Sequence, residues 1–272
     1  MTGKTRIAIQ GEAGSFSHVA ARRMLQQDVD LLPCRTFDDV FAAMKSGAAG
    51  AAVVPIENTL AGSIHRNYEL LGASELHING ETLLRIEHHL IARPGTITDR
   101  ITRILSHPVA LAQCQRFLAS MSAEAVATDD TAGSVKLIMA GESDDVAAIA
   151  GAAAAELYGG EILVPNVEDH RENYTRFLLL STTPAEVVEG AMKTTVLFRT
   201  PNTPGSLWRA LAAFALRDIN MSKLESRPIE GRPWEYSFYV DLAGGPAELA
   251  NALGHLREMC EFVKVLGSYR AG

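Results

Sequence analysis

The run Phe177-Leu178-Leu179-Leu180 constrains this chain most. It is apolar, too brief for a helix and closed by Ser181-Thr182-Thr183-Pro184, so it reads as a buried strand around which a sheet must be built. Its lead-in, Asn173-Tyr174-Thr175-Arg176, is polar. If the strand begins near Asn173, period-two alternation puts Asn173, Thr175 and Phe177 on one face and Arg176 on the other. An amide, a hydroxyl and a guanidinium at the mouth of a buried strand suit a small anionic organic substrate. On these five residues alone, an ordinary polar strand end is the simpler explanation.

The 272 residues correspond to about two domains, and 47% hydrophobic content is enough for a substantial core. A net charge of −7 with no concentrated Lys/Arg run argues against nucleic acid or an anionic membrane as partner. An anion must then be held in a local pocket. Cys34, Cys114 and Cys260 are odd in number and in no metal-type spacing, which points to reduced thiols and a cytoplasmic protein. Met1-Thr2-Gly3-Lys4-Thr5 leads straight into strand-like Arg6–Gln10 without an apolar leader segment. No apolar span is long enough for a membrane helix.

Strand Arg6–Gln10, the turn Gly11-Glu12-Ala13-Gly14 and a helix from about Ser15 to Gln27 form a corner. Capping by Ser15 or Ser17 would leave backbone N–H groups there for an anion. The spacing is that of neither a Walker loop nor a dinucleotide fingerprint. A strand near Val29–Cys34, a helix Phe37–Ser46 capped by Thr36, and a buried central strand Gly50–Pro55 follow. That last strand delivers Glu57, Asn58, Thr59 and Ser63 to its C-terminal end, where ligands bind in open α/β sheets. Ser63 should cap a helix Ile64–Leu71.

An extended strand Glu81–Arg93 leads into a second lobe. Its elements are strand Arg103–Ser106, helix Val109–Ala119, strand Ala123–Thr128, helix Thr131–Ala140, strand Asp145–Ala150 and helix Gly151–Tyr158. The chain returns through Glu161–Val167. The expected fold class is therefore α/β, a two-lobed catalytic domain like a type II periplasmic binding protein with a cleft between lobes. It covers residues 1–182, as lobes of roughly 1–80 plus 168–182 and 81–167. After a polar linker, Thr182–Met192, residues 192–272 give strand, helix, two strands, helix and strand, the ferredoxin-like βαββαβ order. Roughly 80 residues is small for a lone module, so pairing with a second copy is expected.

The segments Gly11–Ser17, Val54–Thr59, Ser106-His107-Pro108 with Gln113-Cys114, and Asn173–Phe177 occur in one order. With Pro204–Leu207 and Glu225–Pro228, they make the chain resemble prephenate dehydratases with a C-terminal ACT regulatory domain, over its whole length. The resemblance implies that prephenate loses its ring carboxylate as carbon dioxide and its 4-hydroxyl as water, giving phenylpyruvate. It assigns no metal and no organic cofactor.

The resemblance matches the family's essential threonine to Thr175, whose hydroxyl would donate to the leaving oxygen within a pre-organised network. It matches Asn58, Ser106 and Gln113 to polar pocket residues and gives Arg176 a carboxylate. Ser15, Ser17, Thr59 and Ser63 join the substrate-binding set, and Phe177 shapes an apolar wall. Glu57 is either an acid with a raised pKa or a structural acceptor, the latter preferred. His107 is a general acid or, as a His before Pro, scaffolding. His65, His88 and His89 have no supporting constellation.

In the ACT part the resemblance implies feedback by L-phenylalanine between paired modules in a homodimer or homotetramer. Gly205, Ser206, Leu207, Asn220, Glu225 and Ser226 would bind this effector. The family's usual Gly-Ala-Leu-Val appears here as Gly205-Ser206-Leu207-Trp208, which bears on effector binding. The commoner Gly-Pro-x-Gly appears as Gly11-Glu12-Ala13-Gly14, which bears on the choice between prephenate and its aminated relative arogenate. Arogenate dehydratase and a non-catalytic amino-acid sensor are the competing functions.

Overall fold

The computed structural model describes residues 5–27, 29–186 and 192–272. The start of the chain, residues 1–4, and residues 187–191 of the expected linker lie outside the described residues. Two compact units emerge, residues 1–64 with 82–177, and residues 65–81 with 178–272. This grouping differs from a division near residue 182, because 65–81 belongs with the C-terminal module.

In the first unit β1 (Arg6–Gln10) pairs in parallel with β2 (Asp30–Cys34) and β3 (Ala51–Asn58). The crossovers carry α1 (Phe16–Leu25) and α2 (Phe37–Ser46). Ser15 caps α1 by accepting from the His18 N–H, and Thr36 and Asp39 form a reciprocal capping box on α2. The expected helix start at Ile64 is replaced by a short return strand, β4 (Gly62–Ser63), antiparallel to the end of β3. The Ile64 N–H donates to Ile56 O (2.9 Å), continuing the hairpin. Helix α3 (His65–Ala73) begins only then.

The single strand expected at Glu81–Arg93 is two, β5 (His77–Arg85) and β6 (His89–Ala92). Between them the backbone turns aside to pair with Asn173 O through the Ile86 N–H and with the Glu168 carboxylate through the His88 N–H. The second lobe continues through β7 (Arg103–Ser106), α4 (Pro108–Ala112), α5 (Gln115–Ser120), β8 (Glu124–Ala127), α6 (Thr131–Ala140), β9 (Val146–Ala150), α7 (Ala152–Tyr158) and β10 (Glu161–Val164). The chain then returns in β11 (Tyr174–Ser181). The strand orders are β2-β1-β3-β11-β5 and β10-β6-β9-β7-β8.

Strand β9 is buried on both faces, which explains its unbroken Val-Ala-Ala-Ile-Ala sequence. Ala147 and Ile149 join Leu90, Ile104 and Ala110 on one side, while Ala148 and Ala150 join Ile91, Ala132 and Val135 on the other. The helix expected at Val109–Ala119 is broken at Gln113, where the α4 ladder ends and Gln113 O accepts from the Asp169 N–H (2.7 Å).

The second unit holds β12 (Met192–Arg199), α8 (Ser206–Ala215), β13 (Met221–Ile229), β14 (Arg232–Ala243), α9 (Pro246–Met259) and β15 (Phe262–Arg270). They form an antiparallel sheet of order β13-β14-β12-β15, the expected βαββαβ module. Val196, Phe198, Val240 and Leu242 face α8 and α9. On the opposite sheet face α3 docks. The Tyr239 hydroxyl donates to Tyr68 O (2.8 Å), their rings meet edge to face, and Arg227 pairs with Glu69 (2.9 Å). Burial pushes the Tyr239 phenol up to about 12. No helix among the described residues is long and apolar enough to cross a membrane.

Candidate active site

The first unit contains a cleft of about 680 Å³ lined from both of its lobes. Side chains delivered by strand ends and a helix break line it or bond to those that do. Asn58 closes β3, Asn173 precedes β11, Thr175 is its second residue, and Gln113 sits at the α4 break. Asn58 Oδ1 accepts from the Leu60 and Ala61 N–H groups (3.0 and 2.8 Å). Those donors are backbone, so they fix which end of the amide faces where. Asn58 Nδ2 then shares its two hydrogens among Asn173 Oδ1 (2.7 Å), Tyr174 O (3.1 Å) and Thr175 Oγ1 (2.9 Å). Asn173 Nδ2 passes the chain on to Gln113 Oε1 (3.0 Å).

One consequence concerns Thr175. Its oxygen accepts from Asn58, so its own hydrogen remains to be donated, and the residue lines the cleft. Thr175 and Phe177 share that face, as alternation requires, whereas Arg176 does not line the cleft.

The candidates divide into two groups. Ser15, Ser17, Asn58, Gln113, Thr175 and Phe177 line the cleft. Ser106 is fully buried and its hydroxyl donates to Ile149 O (2.6 Å), tying β7 to β9. The Thr59 hydroxyl donates to Glu172 O and accepts from the Tyr174 N–H (both 2.9 Å), pinning the end of β3 to the start of β11. Ser63 lies in β4, and neither it, Thr59, Ser106 nor Arg176 is in the lining.

The Gly11–Gly14 corner, expected to receive an anion, has a protein carboxylate in it. Asp130, which caps α6 through the Gly133 N–H (2.8 Å), also accepts from the Glu12 N–H (2.9 Å). Gly11 and Gly14 have φ of +90° and +86°, and a Cβ would meet Asp130 Oδ1 or Ala154 Cα at 2.9 Å, so both turn and approach require glycine. The charged side chains in the lining are Arg35, Asp38, Asp129 and Asp130.

His107 caps α4, its Nδ1 accepting from the Val109 N–H (3.2 Å), and burial lowers its pKa. The cap is a scaffolding contact, and the same ring also lines the cleft. His88 was passed over by sequence reasoning. It lines the cleft, is only 2% exposed, and its Nε2 lies 3.1 Å from Gln113 Oε1. No linear signal could have flagged it, because its partner is presented by the break between α4 and α5. Among the described residues no cluster of three or more His, Cys, Asp or Glu could hold a metal.

In the second unit Gly205, Ser206 and Leu207 line a pocket of about 220 Å³ with Trp208, Trp234, Tyr236 and Phe238. Asn220, Glu225 and Ser226 are not in its lining. Glu225 lies 3.5 Å from His65 of α3 and 3.6 Å from Lys223.

A family model described as prephenate dehydratase matches residues 7–185, and one described as ACT domain matches residues 194–258. "Arogenate dehydratase/prephenate dehydratase 2, chloroplastic" of Arabidopsis thaliana is 41% identical over 280 residues, spanning 98% of this chain and 73% of its own. The solved prephenate dehydratase of Arthrobacter aurescens, in complex with L-Phe, is 32% identical with a TM-score of 0.87 over 98% of this chain and 90% of its own. A structure described as GqqA, a novel type of quorum quenching acylase, is 39% identical with a TM-score of 0.87 over 98% of both chains. The cytoplasmic expectation is corrected by the relatives, several of which are named chloroplastic. Free cysteines distinguish reducing from oxidising surroundings, and a plastid interior is reducing as well.

Proposed function

Because the chain belongs to the prephenate dehydratase family and carries a C-terminal ACT domain, we propose that it catalyses the decarboxylating dehydration of prephenate to phenylpyruvate. Cleavage of the bond to the ring carboxylate releases carbon dioxide. Its electron pair completes the aromatic ring and expels the 4-hydroxyl, which takes a proton and leaves as water. Aromatisation drives the reaction, so the site's task is to aid departure of a hydroxide-like group without overstabilising the departing carboxylate. A hydrogen-bond donor held against that oxygen contributes roughly 10² to 10⁴ in rate.

The observation that carries this proposal is the Asn58–Thr175 bond, which commits Thr175 Oγ1 as an acceptor and leaves its hydrogen for the substrate. Asn58 and Gln113 hold that geometry, and Phe177 and Phe16 supply apolar wall. Arg35 and the α1 start at Ser15 and Ser17 are the groups offered to the substrate's carboxylates. Thr59 acts from beside the cleft, by pinning together the strand ends that carry Asn58 and Thr175, and Ser106 by tying β7 to β9 in the other lobe. Purified chain should release phenylpyruvate from prephenate. Absence of turnover with both prephenate and arogenate would overturn the proposal.

A second substrate, arogenate, is favoured by the name of the Arabidopsis relative. Phenylalanine formed from arogenate faster than phenylpyruvate from prephenate would decide for it. The acylase named among the similar structures needs an activated nucleophile. Here Ser106 is committed to Ile149 O and Thr175 is paired with an amide, not a base.

The ACT domain and the L-Phe complex of the Arthrobacter relative support phenylalanine as effector of this chain, bound at the Gly205–Leu207 pocket. Exposed Trp208 and Trp234 beside that pocket support a homo-oligomer in which a second ACT module covers them. Inhibition of turnover by added phenylalanine, with sedimentation of the full chain as an oligomer, tests both.

A further inference from the structure

We propose that His88 is a positioning residue for the reaction, acting through the Gln113 carboxamide as a fixed Nε2–H donor. It rests on the proposal above that Thr175 serves the leaving group. The assignment follows from donor and acceptor bookkeeping that starts at backbone groups, whose sense is invariable. Asn58 Oδ1 accepts from the Leu60 and Ala61 N–H groups, so Asn58 Nδ2 must donate to Asn173 Oδ1. Asn173 therefore offers its Nδ2 hydrogens to Gln113, and the Gln113 atom facing it must be Oε1. The His88 nitrogen 3.1 Å from that oxygen then has to carry a proton, since two lone pairs would repel.

The other ring nitrogen completes the picture. His88 Nδ1 is buried and has no hydrogen-bond partner. A second proton there would find no acceptor, in a ring 2% exposed and met edge-on by Phe16 at 5.6 Å. Burial accordingly lowers the His88 pKa, with nearby His89 acting in the same direction. The Gln113 contact and the Glu168 carboxylate, which accepts from the His88 N–H, oppose the shift without reversing it. The ring is thus a neutral donor of one tautomer, and it holds the carboxamide oxygen together with Asn173.

Gln113 Nε2 is thereby turned toward Asn58 Oδ1, at 3.4 Å. Without the histidine donor the carboxamide has one anchor fewer and can rotate, loosening Asn173 and Asn58. Thr175 would then lose its alignment while remaining in place. Small misplacements of this kind cost on the order of tenfold in kcat or more.

The full chain is tested in two ways. Nitrogen-15 NMR of histidine-labelled protein should find His88 neutral and protonated on Nε2 at neutral pH. An Nδ1–H tautomer, or a ring charged at neutral pH, would overturn the proposal. In the dehydratase assay His88→Leu should lower kcat about tenfold with KM changed by less than about twofold, and His88→Gln, which restores a donor, should recover part of the loss. His88→Leu made in a Gln113→Ala background should cost nothing further, because the histidine acts through that side chain. Multiplicative losses would instead make His88 an independent structural residue. If wild type turns over neither substrate, the proposed function falls, and the NMR result alone still decides the His88–Gln113 bond.

Discussion

The cleft of the first unit and the pocket of the second are built on opposite principles. In the cleft, four side chains from three segments interlock, so that the orientation of each amide is dictated by a neighbour. In the pocket, the walls are large aromatics that the chain leaves in solvent, Trp208 74% and Trp234 80% exposed. Trp234 even adopts a left-handed backbone, φ +68°, which a bulky residue takes only at a cost. Alignment is finished within one unit by hydrogen bonds. In the other, large apolar area is left exposed at the pocket.

The sharpest way to break this contrast is Thr175→Ala, expected to lower kcat by about two to three orders of magnitude with Thr175→Ser partly spared. Steady-state kinetics with equal wild-type and variant rates would remove the cleft's claim to chemistry. Trp208→Ala should act on the other site alone. It should raise the phenylalanine concentration for half-inhibition about five- to thirtyfold, the effect of one aromatic anchor, while kcat without phenylalanine stays at the wild-type value. Loss of basal turnover in that variant would join what the structure separates.

Tyr239→Phe removes a buried bond to Tyr68 O and should cost about 1 kcal/mol in chemical denaturation, leaving the cleft's kinetics untouched. The smallest effect is one of pH. His88 and His107 have pKa values lowered by burial, so near the unfolded value of about 6.5 the unfolded chain binds more protons than the folded one. Stability is then full above that pH, falls as pH drops below it, and levels off beneath the folded values. Melting temperature followed from about pH 7.5 down to 5 should show this fall, and His88→Gln should lessen it.

The sequence carried the elements with strong local punctuation. Helix Thr131–Ala140 begins and ends where expected, because Asp130 and Gly141 mark it. Ser15 and Thr36 cap as their positions imply. Interruptions were illegible. The apolar period of Val109–Ala119 continues through Gln113, yet tertiary bonds from Asp169 to Gln113 O and to the Gln115 and Arg116 N–H groups split it. The same holds at Ile86–His88, where alternation persists but the backbone pairs with Asn173 and Glu168 instead. Both breaks lie at the cleft, and both supply groups to it. Alternation alone set Arg176 apart from Thr175, and the cleft lining follows that alternation.

The glycine corner carries a mechanical implication. Glu12 N–H to Asp130, Lys136 to Glu12 (3.0 Å) and the Tyr158 hydroxyl to Ala13 O (2.9 Å) all rivet that turn to the opposite lobe. A two-lobed cleft can in principle open by parting its lobes. Here such a swing would shear three bonds and strip a carboxylate of a main-chain donor. Parting the lobes at this corner therefore costs those three bonds at once.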